Sequence, residues 1–175
     1  MVLVSHRQSY CVKSNDTECN QEACALRYGV PAEAMARGLN IYDGWGPSRP
    51  INGKEDNMYG LEELCRRYKV DIQFGGHTHH YERSWPVYRG RVLQHHYRDS
   101  PATVYIQGGL SGIDADPFEL PKANFEAFRD ETLTQSWGRL TAWNATHLSW
   151  EQVAAANGTA LDNFDLVRTA AQLGE

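Results

Sequence analysis

The residues of this sequence best placed to do chemistry are histidines. There are seven, and the densest cluster is Gly75-Gly76-His77-Thr78-His79-His80. Neutral imidazole is a common transition-metal ligand near neutral pH. The two glycines ahead of the cluster let the backbone turn sharply and approach an ion closely. In an extended chain His77 and His79 point to one side with Cα atoms about 7 Å apart. From there two rings reach one ion, or two ions roughly 3.5–4 Å apart. His80 faces the other way. His6 ends the apolar run Val2-Leu3-Val4 and offers a third imidazole at a strand terminus. Spacing alone leaves open that these are hydrogen-bonded core or surface histidines. His95-His96 has no such placement and reads as exposed loop.

The elements that must position these side chains follow from periodicity. Val2–Val4 reads as the stub of a buried strand. Residues 7–29 are polar and carry cysteines, as in a loop. Pro31–Arg37 fits a short helix with Gly38 past its end, and Gly44–Gly53 is a Gly- and Pro-rich loop. Asn57–Lys69 reads as the clearest helix: Met58, Leu61, Leu64, Cys65 and Tyr68 recur at helical spacing, and Asp56 or Asn57 can cap it. Val70, Ile72 and Phe74 alternate as a strand stopping at Gly75-Gly76. Val87–Val92 reads as a strand, Thr103–Ile106 as a buried strand, and Ala115–Thr134 as charged loop with some helix. Leu140–Trp143, Leu148–Val153 and Ala160–Val167 complete an antiparallel end, with Asn157-Gly158 as a turn. The order is α/β passing into antiparallel sheet, and functional loops of α/β folds sit at the carboxyl ends of strands.

Composition narrows the partners. The chain has 175 residues, 41% hydrophobic, with a net charge of -5, enough for one folded unit. Basic residues are scattered among acids, which argues against nucleic acid. No apolar run approaches the roughly 20 residues that cross a bilayer, which argues against a membrane partner. Cys11, Cys19, Cys24 and Cys65 contain no Cys-x-x-Cys pair, so disulfides read better than structural zinc if the protein is exported. Asn15, Asn144 and Asn157 each begin an Asn-x-Thr glycosylation sequon, which points to secretion. The opening residues do not form a signal peptide.

These residues carry a family resemblance. Gly76-His77-Thr78-His79-His80-Tyr81-Glu82-Arg83 resembles the Gly-His-x-His-x-Tyr-Glu-Arg signature of purple acid phosphatases, within the calcineurin-like metallophosphoesterase superfamily. Val2–Cys11 resembles the family's strand-His-Arg-Pro-x-Tyr-Cys segment, with Gln8 in the place of Pro. Gly138–Gln152 resembles its closing hairpin. The resemblance implies the C-terminal half of an α/β/β/α sandwich, with a mixed sheet ending in antiparallel hairpins. It implies an acid-phosphatase-type hydrolase of phosphomonoesters with a binuclear centre of Fe(III) and a second ion, iron, zinc or manganese. His6 and His77 match ligands of the divalent ion, and His79 a ligand of the ferric ion. It further implies a Cys11–Cys19 disulfide and a secreted, lysosomal or vacuolar location. His80 is the candidate for a phosphate or leaving-group contact.

The family's remaining ligand segments, Asp-x-Gly, Gly-Asp-x-x-Tyr and Gly-Asn-His, have no counterpart here. The expectation is therefore an incomplete catalytic domain over residues 1–168 with a tail at 169–175, partnered by a missing N-terminal half. Three neutral imidazoles cannot balance Fe(III), so this chain alone holds at most one divalent ion. Two other readings stay open: a non-catalytic metal-binding fragment, and another metallophosphoesterase such as a phosphodiesterase or nucleotidase.

Overall fold

The structure, a computed structural model, describes residues 1–12, 27, 29–31, 57, 58 and 60–169. The Gly44–Gly53 loop, residues 32–37 of the expected helix, Asn15, Cys19 and Cys24 lie outside these residues. In chain order the described elements are β1 (Val2–Ser5), β2 (Val30–Pro31), β3 (Asn57–Met58), helix α1 (Leu61–Arg67), β4 (Ile72–Gly75), β5 (Tyr81–Ser84), β6 (Val87–Tyr88), β7 (Arg91–Val92), β8 (Val104–Gly108), β9 (Glu126–Arg129), β10 (Ser136–Asn144), β11 (His147–Ala154) and β12 (Ala160–Val167). They form a mixed, strand-rich α/β fold, as the sequence implied.

The main sheet has the order β1-β4-β8-β5-β9. β1, β4 and β8 run parallel, with Ser5 opposite Gly75 and Gly75 opposite Gln107. β5 returns antiparallel beside β8, and β9 antiparallel beside β5. The loop from β4 to β5 therefore crosses over the carboxyl end of β8. β10, β11 and β12 make a second, antiparallel sheet. Its buried Trp150, Phe164 and Leu166 pack against Ile72, Tyr81, Val104 and Ile106 of the first. Along β12 Asp162, Phe164 and Leu166 are buried while Asn163 and Asp165 are exposed, the period of two expected where one face meets a core. Gly138 admits the Trp150 indole: a Cβ there would lie 2.2 Å from the ring.

Several local expectations are corrected. β1 is a strand, but at the edge of the sheet among the described residues, and Val4 is 71% exposed. Pro31 closes a short strand rather than opening a helix, because β2 and β3 pair antiparallel. That pairing takes Asn57 and Met58 out of α1, which starts after Gly60 in extended conformation. α1 ends in a Schellman arrangement: the Lys69 amide donates to Arg66 O and Val70 to Cys65 O, with Lys69 at φ 51°. The buried face of α1 carries Glu62 and Cys65, while Leu64 and Tyr68 are exposed. Glu62 faces inward because it accepts from the Tyr10 hydroxyl and, at 2.8 Å, from the Arg89 amide. Val87–Val92 is a hairpin, not one strand, since Arg89 and Gly90 take φ 49° and 72°, as a two-residue turn of the I′ class requires. Within Ala115–Thr134 the described residues form β9 and no helix.

Tyr81 and Arg83 alternate onto the face that meets the second sheet. Arg83 is bidentate on Asp162 of β12, through Nε at 2.7 Å and Nη2 at 2.9 Å. The Tyr81 hydroxyl donates to Asp162 at 2.7 Å and accepts from Trp150 Nε1 at 3.1 Å. Arg83 also donates to the Tyr97 hydroxyl. The pair is buried, so removing one partner strands a charge. Asp162→Ala is expected to lower unfolding free energy by about 3–5 kcal/mol, read as a reduced urea midpoint. A loss under about 1 kcal/mol would mean that Arg83 is solvated despite its burial.

Candidate metal centre

Parallel pairing builds the site. Because Ser5 and Gly75 are register partners, the residues that follow them emerge side by side. The ladder continues one step further, the Gly76 amide donating to His6 O at 2.9 Å. The His6 and His77 rings then meet with centroids 5.2 Å apart at 72°. Gly75 permits the close packing: a Cβ there would stand 3.0 Å from Gln8 N and Cβ. The turn itself is taken by His77, at φ 74°. Residues 77–80 are thus bent, not extended, and His77 and His79 do not share a strand face.

Thr78 anchors the bend. Its hydroxyl accepts from Gln8 Nε2 at 2.9 Å and its carbonyl from Gln107 Nε2. Gly109 packs directly beneath, where a Cβ would approach Thr78 O to 2.0 Å. With the buried Thr78 pinned, its neighbours point elsewhere. His79 turns toward the loop that follows β8. Its amide donates to Asp116 Oδ2 at 3.0 Å, its carbonyl accepts from the Asp116 amide at 2.9 Å, and Nδ1 lies 3.1 Å from Asp114 O. A carbonyl only accepts, so Nδ1 carries the proton and Nε2 keeps the lone pair. The His79 side chain is 33% exposed, open to a ligand from solvent. His80 is 0% exposed. Its ring lies on Phe118 at 4.2 Å between centroids, and Nε2 is 3.8 Å from Glu82 Oε2. His95 and His96 are exposed.

Among the described residues no group of three or more His, Cys, Asp or Glu side chains is gathered to hold a metal ion. The His6–His77 pair fits two ligands of one borderline divalent ion, with solvent completing the shell. The described residues do not by themselves complete a binuclear centre containing Fe(III), which needs anionic oxygen donors.

The residues that hold the site carry little signal in the sequence. Gln8 stands where the resembled segment carries Pro. Gln107 falls just past the expected strand Thr103–Ile106 and lies inside β8. Asp114 and Asp116 lay in a stretch without periodicity, where only their acidity within a turn-rich segment marked them. Of the sequons, Asn144 ends β10 and Asn157 sits on a turn, both exposed, their Oδ1 atoms accepting from the Thr146 and Thr159 amides at 2.9 and 3.0 Å. Cys11 is disulfide-bonded, with its partner outside the described residues. Cys65 is a buried free thiol, its pKa pushed up to about 11 by burial.

Comparison with known proteins bears on this arrangement. The family profile described as iron/zinc purple acid phosphatase-like protein C matches residues 102–163. Acid phosphatase type 7 of Danio rerio is 30% identical over 175 residues, covering 96% of this chain and 34% of the relative. "Probable inactive purple acid phosphatase 27" of Arabidopsis thaliana is 32% identical over 112 residues, 62% of this chain and 18% of the relative. The purple acid phosphatase PPD1 from Lupinus luteus seeds superposes with a TM-score of 0.65 at 22% identity, over 99% of this chain and 26% of that one. This chain matches the C-terminal part of the purple acid phosphatase family. It spans about a third or less of the length of these relatives. In this chain Tyr81 and Arg83 serve the contact between sheets, while Glu82 faces the histidine loop beside His80.

Glu82 shares its side of the sheet with Glu126. Burial, then the negative charge of Glu82, push the Glu126 carboxyl from its ordinary 4.5 up to about 7, against the opposing pull of the Ala123 amide and Arg129. The folded chain therefore holds a proton that the unfolded chain has released across pH 4.5–7. Stability from this group is complete below 4.5 and is lost as pH rises through about 7. Urea midpoints of wild type and Glu126→Gln, followed across that window, should show wild type losing ground steadily to the variant. A constant difference would contradict the shift.

Proposed function

We propose that this chain is the histidine-bearing part of an acid-phosphatase-type phosphomonoester hydrolase, with His6 and His77 as ligands of a divalent ion and His79 as a ligand of a neighbouring ion. The observation that supports it most is the 5.2 Å approach of the His6 and His77 rings at the carboxyl ends of two parallel strands. This is where α/β folds place their sites. The ferric ion, and with it iron, zinc or manganese as second metal, would need the carboxylate, tyrosine and asparagine ligands of the family's Asp-x-Gly, Gly-Asp-x-x-Tyr and Gly-Asn-His segments, which have no counterpart in this sequence. When bound, a two-metal centre supplies an activated water and neutralises charge on the phosphate oxygens. The chain's own residues hold the imidazoles in place. Thr78, clamped by Gln8 and Gln107, fixes the bend, and Asp114 O sets the His79 tautomer so that Nε2 faces outward. His80 can contact a leaving group only in a conformation that exposes its ring. Secretion or a lysosomal or vacuolar location, glycans at Asn15, Asn144 and Asn157, and a Cys11–Cys19 disulfide belong to the same reading.

A second reading, a non-catalytic metal-binding chain, is favoured by the ungathered third ligand and by a relative named as probably inactive. Turnover by the chain alone would exclude the second reading. The 175-residue chain alone is expected to hydrolyse p-nitrophenyl phosphate negligibly. Metal-dependent turnover that His77→Ala abolishes would reverse that expectation. Zinc titration should show tighter uptake by wild type than by the His77→Ala/His79→Ala double variant, and equal uptake would remove the site.

A further inference from the structure

We propose that Trp143 is a docking platform for the first sugar of a glycan carried on Asn144, an inference that rests on the reading of the sequons as glycosylated. One irregularity in the β10–β11 hairpin brings the two residues together. Ala142 pairs with Leu148 and Asn144 with His147, so Trp143 is the extra residue of a β-bulge. In a regular strand Trp143 and Asn144 would point to opposite faces. The bulge cancels that alternation. Trp143 donates through Nε1 to Ser149 Oγ at 2.6 Å, and Ser149 donates to Asp165 Oδ1 at 2.6 Å. Ser149 is the register partner of both Thr141 and Asp165, so the indole lies on the face opposite the buried Trp150. Asn144 pairs with His147, which shares that face of β11 with Ser149, and Asn144 Oδ1 is 3.2 Å from His147 Nδ1. Indole and amide therefore stand on one surface.

Each partner presents the right atoms. The Thr146 amide and hydroxyl donate to Asn144 Oδ1 at 2.9 and 2.7 Å. Among the described residues the contacts of this side chain all fall on its oxygen, which leaves Nδ2 unengaged. Glycosylation replaces one Nδ2 proton by C1 of N-acetylglucosamine, and the diphosphate of a lipid-linked sugar donor departs. The new N–C bond sets the first sugar ring one residue from the indole. Trp143 is 68% exposed, and its only polar side-chain atom is already bonded to Ser149. What it offers to solvent is ring surface with a negative π face. The C–H groups on one face of N-acetylglucosamine complement such a surface. Asn157 supplies the contrast. It is exposed and its Oδ1 accepts from the Thr159 amide, but it follows Ala154-Ala155-Ala156, with no aromatic neighbour in the chain.

The test uses the full 175-residue chain, secreted behind an added leader peptide from a glycosylating host. Peptide mass spectrometry first reads occupancy of Asn144. Hydroxyl-radical footprinting then compares three forms of the same chain: fully glycosylated, trimmed enzymatically to one N-acetylglucosamine, and sugar-free, made with glycosylation inhibited. Oxidation of Trp143 is expected to fall several-fold in both sugar-bearing forms, while Trp137, 45% exposed on the same strand, stays unchanged. The trimmed form should melt about 2–4 °C above the sugar-free one. Trp143→Ala should remove that gain, Trp143→Phe should keep part of it, and Asn157→Gln should leave it intact. Equal oxidation of Trp143 in all three forms, with Asn144 occupied, would overturn the docking and leave the sequon reading standing. Protection lost on trimming would assign the contact to outer sugars and overturn it likewise. If Asn144 stays unmodified while Asn157 is occupied, the reading of that sequon falls and this proposal with it.

Discussion

The parallel ladder between β1 and β4 is the constraint on which the rest of the arrangement depends. Parallel neighbours end on the same side of a sheet, and a fixed register decides which residues end together. With Ser5 opposite Gly75, His6 and His77 leave the sheet as neighbours although seventy-one positions separate them in sequence. A slip of one residue would turn β1 over, sending the His6 ring to the other face. The register is held by the Gly76 to His6 bond and by two side-chain bonds, a buried one from Ser9 Oγ to Gln73 at 2.7 Å and a partly buried one from Gln73 Nε2 to Ser5 Oγ at 2.9 Å.

β5 divides structure from site. Alternate side chains of a strand serve opposite faces. Tyr81 and Arg83 lock the two sheets through Asp162 and Trp150. Glu82 lies on the other face, under the histidine loop beside His80. A run of four residues thus ties the site to the core: moving β5 to relieve one face displaces the other. Thr78, between its two glutamine donors, transmits that rigidity to the bend, while the loop after β8 holds His79 from the outer side.

Much of the scaffold was legible from pattern. The buried strands around Ile72 and Ile106, the antiparallel end and the Asn157-Gly158 turn all carry short-range signals that their environment reinforces. The misread elements share a cause. α1 lost its first turn because Asn57 and Met58 pair with a remote strand, and Glu62 turned inward because Tyr10 and Arg89 receive its carboxylate. β9 lacks alternation, and its pairing with β5 defines it. In each case a long-range contact outweighed local propensity, which is worth only tenths of a kcal/mol per residue.

The sequence by itself determined which residue types were available, that histidines fall at strand ends, and which family the chain resembles, because motif identity and hydrophobic period are local properties of the chain. Only the tertiary structure decided that His6 meets His77 while His79 turns to Asp114 and Asp116, and that His80 is buried. Those outcomes follow from strand register, a left-handed backbone at His77 and hydrogen bonds between distant loops, and none of these is encoded in the spacing of the histidines alone.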